Sequence, residues 1–92
     1  MFSGGSYDEV ARWLHNFLLS HAKRENPRTE VELASGEERE GKSYAARLRL
    51  GEKVSRQLEF DYKEVAENRG SLAWGRAMAE RTRALARELT GS

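Results

Sequence analysis

Cysteine is absent from this chain of 92 residues. That excludes disulfides, thiolate zinc sites, iron–sulfur clusters and cysteine nucleophiles, and it suits a reducing compartment, so the cytoplasm is the expected location. Long apolar runs are also missing. The longest, such as Phe17-Leu18-Leu19, fall far short of the ~20 residues that span a bilayer, and no membrane partner is expected. Charge of one sign is lacking too: 34% of the residues are charged, yet the net charge is +1. A strongly cationic nucleic-acid or membrane binder shows more imbalance. The segment Met1 to Ser6 lacks the basic and apolar regions of a signal peptide and reads as a short disordered leader, with 7–90 as one domain.

Signatures of chemistry are equally scarce. The two histidines, His15 and His21, are six apart, and helical metal ligands converge at three or four. His21 continues an apolar stripe, which suits a structural role; His15 lies toward the exposed side with no evident carboxylate partner. No serine sits in a Gly-x-Ser-x-Gly elbow, and the glycines match neither a P-loop nor a dinucleotide fingerprint. No catalytic residue, metal or cofactor is expected.

What the chain does have is an ordered change of hydrophobic period. From Tyr7 to Lys23 the apolar residues Val10, Ala11, Leu14, Phe17 and Leu18 recur at helical spacing, with Trp13 at the stripe's edge and Leu19 on the exposed side. Ser6 with Glu9 forms a capping box, and Asn26-Pro27 ends the helix. Three stretches of period two follow: Thr29 to Leu33, Tyr44 to Leu50, and Val54 to Phe60. A glycine-bracketed acidic loop, 36–41, joins the first two, and Gly51-Glu52-Lys53 joins the second pair. Asp61 to Gly70 reads as a connector with one helical turn through Tyr62, Val65 and Ala66. Ser71 then caps a second helix whose stripe runs Leu72, Gly75, Met78, Ala79, Thr82, Leu85, Ala86 and Leu89. Gly75 on that stripe suggests close backbone approach to another element.

Aligning apolar faces sets Val31 opposite Ala46, Leu33 opposite Tyr44, Leu50 opposite Val54, Ala46 opposite Leu58 and Tyr44 opposite Phe60. Arg56 falls on the core side of this pattern, and Arg47 falls opposite Glu30 on the wet side. A three-stranded antiparallel meander with one apolar face needs a cover, which the two helices supply. The predicted fold is an α+β two-layer sandwich, in α-β-β-β-α order, with both helices on one face.

Two surfaces stand out. Trp13 and Trp74 each lie about a quarter-turn from their helix's core axis. They either finish the core or anchor an interface, and with Leu19 and the small residue Ala77 they form the candidate interaction surface. Arg76, Arg83 and Arg87 share a face of the last helix, with Arg69 preceding it. They are candidate anion contacts, or else a solvated face laced by Arg76–Glu80 and Glu80–Arg83 pairs.

Over Tyr7 to Thr90 the element order resembles that of the double-stranded-RNA-binding domain, in topology rather than in motif. That family grips phosphates with a lysine-rich start to its second helix. The matching stretch here, Ser71-Leu72-Ala73-Trp74-Gly75-Arg76, has no lysine, and the connector from Asp61 is longer. The resemblance implies a nucleic-acid-binding alternative that would use Arg69, Arg76, Arg83 and Arg87. The leading expectation is a small non-catalytic protein-interaction domain that uses the helical layer around Trp13 and Trp74, or a sheet edge, as its contact surface, with a homodimer as one form it would take.

Overall fold

A computed structural model describes residues 6–35 and 41–91. The expected leader therefore lies outside the described residues except for Ser6, as does most of the acidic loop 36–41. The fold is the α+β sandwich that the periods imply, with the helices packed on one face of an antiparallel sheet.

The first helix, α1, spans Tyr7–Glu25. Ser6 caps it, its Oγ accepting from Glu9 N at 3.2 Å, and Asp8 and Glu9 face the positive end of the helix dipole. At the other end Asn26 turns extended, and its N–H closes the last bond to the Ala22 carbonyl at 3.2 Å. Helical spacing buries Val10, Ala11, Leu14, Leu18 and Ala22 against the sheet layer. Leu19, expected on the exposed side, is half-buried and packs against the core.

Strand β1 is Glu30–Ala34, β2 is Ser43–Leu50, β3 is Lys53–Val54 and β4 is Leu58–Asp61. β2 is central, with β1 on one side and β3 and β4 on the other. In the first hairpin Val31 pairs with Leu48 and Leu33 with Ala46, two residues away from the expected register. A two-residue slip keeps every side chain on its face. It sets the small Ala46 beside Leu33 and places Tyr44 beyond the end of β1, under the ring of Tyr7.

The second hairpin departs by one residue near its turn. Tyr44 pairs with Phe60 and Ala46 with Leu58, as expected, but Leu50 pairs with Lys53 and Val54 with Arg49. The cause is the turn. Gly51 adopts φ +65°, so a two-residue Gly51-Glu52 turn replaces the longer one. The single residue gained is returned by a bulge between β3 and β4. There Ser55 substitutes for a ladder residue: its N–H donates to the Leu48 carbonyl at 2.9 Å, and its Oγ accepts from Leu48 N at 2.9 Å. Val54 is thereby turned off the core face and is 41% exposed, and Arg56 lies exposed rather than on the core side.

The expected helical turn in the connector is a helix of its own, α2, Tyr62–Asn68, which buries Val65 and Ala66. The last helix, α3, spans Leu72–Gly91 and buries Met78, Thr82, Leu85, Ala86 and Leu89. Ser71 caps it, accepting from Trp74 N at 3.2 Å. Two residues depart from the expected stripe. Leu72 is 79% exposed, and a Cβ placed on Gly75 would meet nothing within 4 Å. Among the described residues no other element approaches Gly75 closely.

Candidate interaction surface

The tryptophans meet. Trp13 and Phe17, one turn apart on α1, stack with ring centroids 5.0 Å apart. Trp74, near the start of α3, lies 6.2 Å from Trp13 and 6.1 Å from Phe17. His21 extends the row, its ring set edge-on to Phe17 at 4.6 Å. All four side chains are half-buried along the seam between the helices. Trp74 is fixed from a third element: its indole Nε1 donates to Glu64 Oε2 of α2 at 3.0 Å. The longer connector thus supplies the carboxylate that orients this ring. Phe17, assigned by spacing to the core stripe, packs against the core and also completes a triangle of rings with the two tryptophans. Ala77 and Ala73 are exposed on α3, as is Leu72, so small and apolar residues continue from the row onto the outer helical surface.

The arginines are distributed differently. Arg83 Nε lies 2.9 Å from Glu25 Oε2, and Arg87 reaches the same oxygen at 3.4 Å and Glu80 at 2.9 Å. The expected Arg76–Glu80 and Glu80–Arg83 pairs are replaced by these, because Glu25 ends α1 beside the middle of α3. Its side chain is only 17% exposed. Arg76 is exposed and Arg69 half-buried, so the four candidate anion contacts do not form one open stripe.

Each histidine has a structural contact. His15 is half-buried, and its Nε2 donates to the Val31 carbonyl of β1 at 3.2 Å. Burial, then the charges of Arg24 and Arg83, lower the pKa of His21 below its ordinary value. Among the described residues there is no group of three or more metal-ligating side chains.

The open sheet face carries paired charges. Glu32 accepts from Arg47 Nε at 2.7 Å and Arg49 Nη1 at 2.7 Å, and these bonds hold its carboxyl below the usual range, Arg49 first. Arg47 therefore pairs with Glu32 and not Glu30, as the two-residue slip requires. A groove of about 440 Å³ crosses this face, with Ala34 and Ala45 among its lining residues beside Glu32, Arg47 and Gln57. No helix among the described residues is long and apolar enough to cross a membrane. The chain matches no family model, no curated protein and no solved structure.

Proposed function

We propose that the chain is a small non-catalytic protein-interaction domain. Its contact surface is the helical layer around Trp13, Phe17 and Trp74, and its partner is another protein or a second copy of itself. The observation that carries this reading is the row of half-exposed aromatics on the seam between α1 and α3, continued by Leu72, Ala73 and Ala77. Large rings held rigidly at a surface are the usual anchors of interfaces, because they bury much area at little entropic cost. The engagement of His15 by a main-chain carbonyl and of His21 by Phe17 supports a role without general acid–base chemistry.

Sedimentation across a concentration series, together with acrylamide quenching of tryptophan, tests this surface. Wild type is expected to associate and to shield its indoles as it does so. Ala77→Glu, at an exposed position, should abolish association without loss of helicity, and Trp74→Ala should weaken it. A strictly monomeric wild type whose indoles are inaccessible to acrylamide would overturn the proposal.

A further inference from the structure

The outer edge of β1, where His15 alone among the described residues bonds to the outward main-chain groups, is built differently from the opposite edge of the sheet. Leu48 turns its main-chain groups toward Ser55, on the β3 side of β2. Val31 is the partner of Leu48 across the first hairpin. In an antiparallel ladder the N–H and C=O of one residue point to the same side, so Val31 directs both away from β2. The bond from His15 to the Val31 carbonyl agrees with that orientation. Leu33, two residues on, presents its groups the same way. Apart from His15, no described residue bonds to these outward groups of Val31 and Leu33. The opposite edge is protected by a bulge and by very short strands, whereas β1 has no bulge and no proline.

Charge decides what such an edge accepts. The register sets Arg49 opposite Glu30, but Arg49 reaches diagonally to Glu32 and donates from Nε to the Gly51 carbonyl at 3.2 Å. Glu32 takes both arginines of β2, and Glu30 is left exposed, with no ion pair to a described residue. A second copy of β1 laid antiparallel along this edge, centred on Val31 or on Glu32, would set glutamate against glutamate, which is destabilising. An extended segment with a basic residue beside Glu30 and apolar residues on the helix side meets no such repulsion.

The geometry points to the β1 edge as a docking site for an extended strand of a partner protein in which basic and apolar residues alternate, held by main-chain bonds to Val31 and Leu33. This goes beyond the helical-layer reading and does not rest on it.

The probe is a short capped peptide of alternating valine and lysine, followed by fluorescence anisotropy at low salt. Valines opposite Val31 and Leu33 share their face, so valine N–H groups point at β1 and lysine N–H groups point away. N-methylation of the valines should weaken binding at least about tenfold, or ~1.4 kcal/mol, while N-methylation of the lysines should leave it intact. Glu30→Lys should weaken binding as well. Leu33→Pro removes a docking donor without taking a bond from the β1–β2 ladder and should lose binding while circular dichroism stays native. If that variant fails to fold, the methylated peptides still decide. Amide shifts in NMR should centre on residues 30–34. No binding of the parent peptide, equal binding of both methylated forms, or shifts confined to the Trp13 and Trp74 region would each overturn the docking site. None of these outcomes bears on association through Trp74, which sedimentation reads separately.

Discussion

The hydroxyl of Tyr44 donates to the main-chain carbonyl of Tyr7 at 2.8 Å, and the two rings stack with centroids 4.6 Å apart. In return the Tyr7 hydroxyl donates to the carbonyl of Ser43. This reciprocal clasp fastens the first turn of α1 to the start of β2. Tyr44 is fully buried.

Tyr44→Phe keeps the ring and deletes the clasp's donor. A loss of about 1 kcal/mol is expected in urea unfolding. Burial, then the neighbouring Tyr7, raises the Tyr44 pKa well above its ordinary value, so the folded state holds its proton where the unfolded chain releases it. Stability should therefore be full below pH ~10 and fall as pH rises beyond it. Tyr44→Phe should flatten that alkaline fall.

Gly75→Ala should stabilise the protein by about 1 kcal/mol. A Cβ there meets open space, and alanine in a helix interior loses less backbone entropy than glycine. Thermal unfolding checks the sign. A destabilised variant would mean that something approaches this backbone after all.

Thr29 is completely buried, and its Oγ1 has no hydrogen-bond partner among the described residues. Thr29→Val replaces that hydroxyl with a methyl of similar size. The change should be neutral or stabilising by up to about 1 kcal/mol, because the desolvation cost of an unsatisfied hydroxyl is removed. A clear loss of stability in chemical denaturation would reveal a partner for the hydroxyl.

His21 should titrate below the ordinary histidine range when its imidazole is followed by NMR, and Arg83→Gln should move its midpoint upward. The folded state takes up this proton less readily than the unfolded chain. The contribution of His21 to stability is thus complete above pH ~6.5 and is lost as pH falls through its folded value. An Arg83→Gln midpoint equal to wild type would remove Arg83 as a cause.

Much of the site was legible as faces and little of it as contacts. Counting 100° per residue placed Trp13 and Trp74 at the edges of their stripes, and the structure brings them together. That Phe17 joins them is not legible: it falls on the apolar stripe by spacing, and only the packing of α3 against α1 brings Trp74 against both Trp13 and Phe17. Glu64 was invisible for the same reason: nothing in its neighbourhood marks it as the acceptor of an indole on another helix. The arginine pairs were misplaced because i, i+4 reasoning considers one helix at a time, and Glu25 arrives from a different one.

By itself the sequence determined the broad element order, the apolar faces of β1, β2 and β4, both serine caps and the layer on which the helices lie. These depend on local spacing and on a two-fold alternation that survives slips of two residues. Tertiary structure alone decided the register of the first hairpin, the bulge at Ser55, the exposure of Leu72 and Val54, and the company kept by Glu25 and Glu64. Each of those turns on a choice among arrangements that local spacing leaves nearly equal: packing around Tyr44 and the tight turn at Gly51 separate the strand registers, and the packing of the helices against one another sets the partners of Glu25 and Glu64.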